Sequence, residues 1–94
     1  MNKIKVAFDV DGTLIRETDF GSAPRYEIIE KLLWFNKMGY QTYVWSGSGM
    51  DYAKRWTEKL GITCAIVIPK NVEQGVDIAF DDEEVLLAKV NIQV

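Results

Sequence analysis

The sequence predicts a single α/β domain: a mainly parallel sheet of about five strands flanked by helices. Three observations carry that prediction. Short apolar segments alternate with segments whose apolar residues recur at helical spacing, the pattern of strand-helix-strand units. The strand candidates are apolar on both faces, as strands covered by two layers must be. The 94 residues suit one folding unit with a sheet of ordinary size and hold no linker, repeat or biased segment.

Lys3 to Phe8, rich in β-branched and aromatic residues, predicts a first strand closed by the turn Asp9-Val10-Asp11-Gly12. Ser22 is a candidate N-cap and Pro24 suits a first helical turn. Ile28, Ile29, Leu32, Leu33 and Phe35 then recur at helical spacing until Gly39 stops the helix. Gln41 to Trp45 returns to an extended pattern. Ser48 is a candidate cap for a second helix whose Met50, Ala53, Trp56 and Leu60 share one face, with Gly61 as its stop. Cys64 to Ile68, bounded by Pro69, and Val76 to Phe80, bounded by Asp81 and Asp82, predict two short buried strands. The tail has two readings: a helical turn over Glu83 to Leu87 before a strand over Ala88 to Val94, or an extended chain from Val85 to Val94.

Composition narrows the chemistry. Apolar residues make up 48% and charged residues 27%, the balance of a soluble globule and not of a disordered chain. Eleven Lys and Arg against fourteen Asp and Glu give a net charge of −3 with no basic run. That does not favour nucleic acid as the main partner, because phosphate backbones demand concentrated positive charge. The apolar stretch Ile62 to Ile68 is far short of the ~20 residues that cross a bilayer, and Asp9 and Asp11 break the run from Ile4 that a signal peptide would need. One cysteine, Cys64, cannot form an internal disulfide, so a cytoplasmic location is expected. Histidine is absent, which removes Ser-His and Cys-His catalysis and histidine-ligated zinc or iron. What remains must run on carboxylates, hydroxyls, lysine or a hard metal ion.

In open parallel sheets ligands bind beyond the carboxyl ends of the strands. Here those positions hold Asp9-Val10-Asp11-Gly12-Thr13, Ser46-Gly47-Ser48-Gly49, Pro69-Lys70 and Asp81-Asp82. Each has an ordinary explanation by itself. Asp11-Gly12 is a hairpin signal between Ile4, Val6, Phe8 and the residues from Leu14; Ser46 to Gly49 is a flexible turn ending in a cap; Lys70 is a solvated loop lysine; Asp81 to Glu84 is an acidic turn. Their coincidence after four strands favours one shared site. Asp9, Asp11 and Asp81, if all ionised, would repel by roughly 4 kcal/mol per pair at about 4 Å and an effective dielectric near 20, so the cluster needs a cation. All-oxygen donors select a hard ion, and few carboxylates with several waters suit Mg²⁺ better than Ca²⁺. Lys70 adds a fixed positive charge. The Ser46 hydroxyl and the N–H groups of Gly47 and Ser48 are complementary to a phosphate.

These residues resemble the motifs of the haloacid dehalogenase superfamily of phosphohydrolases, over Lys3 to Asp82. Asp9-Val10-Asp11-Gly12-Thr13 after an apolar strand is similar to that family's specific first motif, Ser46 to its second, Lys70 to its third and Asp81-Asp82 to its fourth. The resemblance implies a Rossmann-like sheet of order 5-4-1-2-3. It implies Asp9 as nucleophile forming an aspartyl-phosphate, and Asp11 as the acid that protonates the leaving oxygen and later the base that activates water. Ser46 and the Gly47 amide would hold the phosphate, Lys70 would steady Asp9 and the developing charge, and Thr13 would orient Asp11. Mg²⁺ would be bound by the Asp9 carboxylate, the Asp11 backbone carbonyl, Asp81, and Asp82 directly or through water.

An aspartate two residues after the nucleophile marks the family's phosphatases and phosphomutases, so dehalogenation is disfavoured. Only Leu14 to Ala23 separate Thr13 from the predicted helix, and ten residues, 71 to 80, separate Lys70 from Asp81. The resemblance is therefore to a capless form with a short flap. Such a cleft is covered either by a large substrate or by a neighbouring subunit, which makes a homo-oligomer possible. Arg16 and Arg25 flank the flap and are either grips for an anion or solvated. Lys54, Arg55 and Lys59 lie together on the second helix, Trp56 is expected in the core, and Trp34 and Trp45 are unplaced. The expected function is a Mg²⁺-dependent phosphatase acting on a phosphorylated substrate. The acidic balance favours a small metabolite over a polynucleotide or phosphoprotein. From another class, a non-catalytic Mg²⁺ and phosphate sensor or an assembly subunit is the alternative, disfavoured by the presence of both acids of the first motif.

Overall fold

The computed structural model describes residues 3–94. In chain order it contains β1 (Lys5–Asp9), β2 (Ile15–Thr18), β3 (Gly21–Pro24), α1 (Tyr26–Lys37), β4 (Gln41–Trp45), α2 (Met50–Lys59), β5 (Ile66–Val67), a 3-10 turn (Val72–Gln74), β6 (Ile78–Asp81) and β7 (Val90–Gln93). The main sheet runs β5-β4-β1-β6-β7, and every adjacent pair is parallel. β2 and β3 form a separate antiparallel hairpin. The α/β architecture on a parallel five-stranded sheet is the one the sequence predicts. Among the described residues no helix is long and apolar enough to cross a membrane.

Alternation along β1 sends Val6 and Phe8 to one face of the sheet and Ala7 to the other. The first face meets Ile28, Ile29 and Leu32 of α1 and Ala53 of α2, so both helices cover the same side. The opposite face is closed by Val76, Ile68, Leu87 and Ala88, which belong to connecting segments. Right-handed crossovers explain the division. From β1 through β4 to β5 the chain steps one way across the sheet and its helices fall on one side; the return to β6 and β7 puts the later connections on the other. Those connections are too short for a full helix, so the expectation of a sheet flanked by helices holds for one face only.

Five local expectations are corrected. Ser22 caps no helix: it lies in β3 opposite Glu17, whose Oε1 accepts its hydroxyl at 2.6 Å. Pro24 sits at the end of the ribbon opposite Ile15, where a missing N–H costs little, and α1 begins only at Tyr26, after Arg25. α2 is preceded by Gly49, and Ser48 instead gives its N–H to Ser46 Oγ at 3.0 Å. Its buried line is Ala53 and Thr57, with Met50 exposed and Trp56 only half-buried. Neither reading of the tail holds in full: the segment after Asp82 forms no helical turn, and it bends at residues 87–89 before β7, so it is not extended throughout. The Asn91 side chain accepts from the N–H groups of Leu87 and Ala88, both at 3.0 Å, and donates to Ala88 O at 2.8 Å, taking the place of helical partners before β7 starts.

Candidate functional site

The sheet register builds the site. β1 and β6 align Phe8 with Phe80, and the two rings stack with centroids 4.8 Å apart and planes 3° from parallel. Such a pair contributes about 0.5–1.5 kcal/mol beyond its buried area. It lies immediately before Asp9 and Asp81 and so holds their carboxylates side by side. On the other flank Asp9 is level with Trp45 of β4, which puts Ser46 just beyond. Lys70 enters from the segment after β5.

Asp9 Oδ1 accepts a hydrogen bond from Lys70 Nζ at 3.0 Å, and the same ammonium lies 2.8 Å from Asp81 Oδ2. The ammonium therefore bridges the two buried carboxylates. Asp81 Oδ1 accepts from the Glu83 N–H at 3.0 Å. Asp82 completes the cluster: one carboxylate oxygen each from Asp9, Asp81 and Asp82 lie within 4.8 Å of one another, a group that could hold a metal ion. With Asp11, Ser46, Gly47 and Ser48 they line a cleft of about 180 Å³.

Charge is out of balance here, and the acids show it. Burial lifts the Asp9 carboxyl to about 6, against the pull of Lys70. Asp82 is also raised, first by burial and then by the neighbouring Asp81. Burial works against the Lys70 ammonium too, yet Asp81 and Asp9 outweigh it and hold its pKa above the ordinary lysine value. Three acids face one cation, two of them buried, and a further positive charge would relieve the excess.

Asp11 is placed differently from the electrostatic expectation. Its carboxylate is exposed and lies outside the trio; Asp82 takes its place there. Asp11 Oδ1 instead accepts the Tyr52 hydroxyl of α2 at 2.6 Å. That bond raises the Tyr52 pKa, chiefly because the neighbouring carboxylate disfavours a phenolate. Thr13, expected to orient Asp11, is fully buried, and its hydroxyl has no hydrogen-bond partner among the described residues. Tyr52, and not Thr13, is the side chain that holds the Asp11 carboxylate. The sequence signal for it is faint: a polar aromatic one turn into the helix that starts at the Ser46 station.

Gly12 is the second residue whose role emerges only in three dimensions. Its φ is +78°, and a Cβ there would overlap the Asp82 carboxylate. Arg25 Nη1 donates to the Gly12 carbonyl at 2.6 Å while its Nε contacts Glu27 at 3.1 Å. Arg25 therefore straps the Asp11-Gly12 loop to the start of α1. Arg16 is exposed on β2. The loop does not fold back at Gly12 as a hairpin; the reversal comes between Thr18 and Gly21, where Thr18 Oγ1 donates to Gly21 O at 2.6 Å.

Comparison of the chain with protein-family models, with curated proteins and with solved structures yields no match.

Proposed function

We propose that the chain is a Mg²⁺-dependent phosphatase that hydrolyses a phosphate monoester through a phosphoaspartate on Asp9. The observation that carries this reading is the meeting of Asp9, Lys70, Asp81 and Asp82, from separate strand ends, in one cleft beside Ser46. The sheet order lends support: numbering only its own strands along the chain gives 3-2-1-4-5, the order implied by the resemblance to haloacid dehalogenase phosphohydrolases. The cleft also opens where the direction of strand addition reverses, the usual ligand position in such sheets.

The donor set suits the ion. Oxygens sharing a Mg²⁺ at about 2.1 Å lie no more than about 4.2 Å apart, so a spread of up to 4.8 Å needs only slight contraction. Asp9 and Asp81, with Asp82 and the Asp11 carbonyl, would hold the ion, which when bound neutralises phosphate charge and orients the ester.

The rest is chemistry of the side chains. Burial raises the Asp9 carboxyl to about 6, and the Lys70 ammonium favours its ionised, nucleophilic form. Lys70 holds Oδ1, leaving Oδ2 to attack phosphorus in line. The new O–P bond forms as the bond to the leaving oxygen breaks, and Asp11 gives that oxygen its proton. Water then attacks phosphorus, Asp11 takes its proton, and Asp9 is released with inorganic phosphate. Tyr52 fixes one Asp11 oxygen and leaves the other for both transfers. Ser46 and the Gly47 amide hold the phosphate oxygens.

The test is release of phosphate from an aryl phosphate with and without Mg²⁺, and acid quenching to trap phosphate on Asp9. Mg²⁺-dependent turnover lost in Asp9→Asn is expected. Activity that persists in Asp9→Asn, or no turnover of any phosphoester, overturns the reading, and the second result favours a sensor.

A further inference from the structure

α1 buries one face against the sheet and leaves an apolar ridge on the other. Ile28, Ile29 and Leu32 turn inward. Seven residues make just under two helical turns, so Tyr26 and Leu33 line up on the outer face, as do Glu30 and Lys37 beside them, with Trp34 and the C-cap Met38 along the flank. All six are exposed. The Trp34 ring is nonetheless held in place: it stands edge-on to Phe35 with centroids 5.1 Å apart and lies 6.5 Å from Tyr40. An aromatic side chain that is already ordered loses little freedom when a partner covers it, the condition under which Trp anchors an interface. Glu30 and Lys37 make no ion pair among the described residues.

The order of these residues identifies what fits. Along the ridge they read Glu30, Leu33, Trp34, Lys37. The acid and the base each lie about 5 Å of helix rise from a midpoint between Leu33 and Trp34. A two-fold axis passing over that midpoint, at right angles to the helix, lays a second copy of α1 antiparallel on the first. It sets Glu30 of each copy against Lys37 of the other and brings Leu33 onto Leu33 and Trp34 onto Trp34. A two-fold interface has to be complementary to itself, which a ridge charged with one sign is not. We propose that the chain pairs with a second copy of itself through the outer face of α1, as an antiparallel helix pair with a Glu30–Lys37 ion pair at each end. No residue lining the Asp9 cleft lies on α1, so both clefts stay open in the pair. The pairing is independent of the phosphatase reading. With 12 residues in α1, the interface falls at the small end of specific ones, and a Kd on the order of 10 µM is expected.

The experiment is analytical ultracentrifugation of the full chain across that range, at low salt and without divalent ions or phosphoesters. A concentration-dependent dimer is expected. Glu30→Lys sets base against base and Lys37→Glu sets acid against acid, so each should raise Kd about tenfold or more. Mixing the two variants should restore association, because the all-basic ridge of one then meets the all-acidic ridge of the other; the double variant Glu30→Lys/Lys37→Glu should restore it within itself, to within about threefold of the unsubstituted chain. Both positions are exposed, so the reversals leave the fold intact, which circular dichroism checks. A chain that stays monomeric throughout, a dimer indifferent to the single reversals, or a mixture that does not associate overturns the proposal. Loss of the phosphatase reading would leave every one of these readouts unchanged.

Discussion

Two aspartate-lysine clusters sit at opposite ends of the same sheet. Where β1 and β6 finish, Lys70 is enclosed by Asp9 and Asp81, with side chains 16%, 8% and 3% exposed. Where those strands begin, Lys89 Nζ meets Asp77 Oδ1 at 3.3 Å with side chains 81% and 28% exposed, and Asp77 Oδ2 accepts the Lys5 N–H at 2.8 Å. The second cluster borders the larger hollow, about 630 Å³. The acids nevertheless move in opposite directions: burial raises Asp9 to about 6, whereas the Lys5 backbone N–H lowers Asp77. Residue types are shared and water is what differs. Around Lys89 and Asp77 solvent screens the pair to roughly 0–1 kcal/mol; around Lys70 the side chains are mostly withdrawn from solvent and screening is weaker.

The sharpest test exchanges one acid at each end. Asp9→Asn should lower phosphate release on the order of a thousandfold or more, whereas Asp77→Asn should leave it within twofold; comparable losses in steady-state assays would erase the distinction. Next come the cations. Lys70→Met leaves buried carboxylates uncompensated and should destabilise the fold by about 3 kcal/mol in urea titrations without divalent ions, while Lys89→Met should cost under about 0.5 kcal/mol.

Acidity offers a third comparison. Asp9 has a folded pKa of about 6 against an ordinary 3.8, so the folded chain holds an extra proton between those values. Stability without divalent ions should fall as pH rises through that window. Asp77, with its pKa lowered, contributes stability above pH 3.8 that is lost as pH falls through its folded value. Asp9→Asn should therefore raise Tm by several degrees at pH 7 relative to pH 4, compared with the unsubstituted chain. Melting curves in EDTA that are parallel for both proteins would remove Asp9 as the source. The smallest contrast is between two glycines. Gly75, at the Lys89 end with φ +66°, has nothing near its would-be Cβ, so Gly75→Ala should cost about 1 kcal/mol of backbone strain. Gly12→Ala must also displace Asp82 and should cost about 1 kcal/mol more, with weaker Mg²⁺ binding by calorimetry.

The sheet and the gathering of strand ends were legible because both are written in apolar runs that stop at polar residues. Val6, Phe8, Val44 and Phe80 declare buried strands, and Asp9, Ser46, Lys70 and Asp81 stand at or just past the points where the runs end. The hairpin over Ile15 to Pro24 was not legible as strand. Arg16, Glu17 and Thr18 are exposed, so no burial alternation marks it, and Ser22 and Pro24 are equally at home at a helix start. Asp11 was legible as a site residue but its partner was not, because spacing along the chain does not say which side chain of α2 comes within reach. The Gly12 to Asp82 fit joins residues from the first and fourth stations, and no local pattern encodes it.

Lys70 bridging Asp9 and Asp81 has a consequence for how the molecule matures. A pocket of bare carboxylates would have to wait for an ion before it could close, coupling assembly to supply. Here the chain supplies its own cation, so the buried Asp9 and Asp81 carboxylates find a partner within the fold and the strand ends can come together in an ion-poor medium.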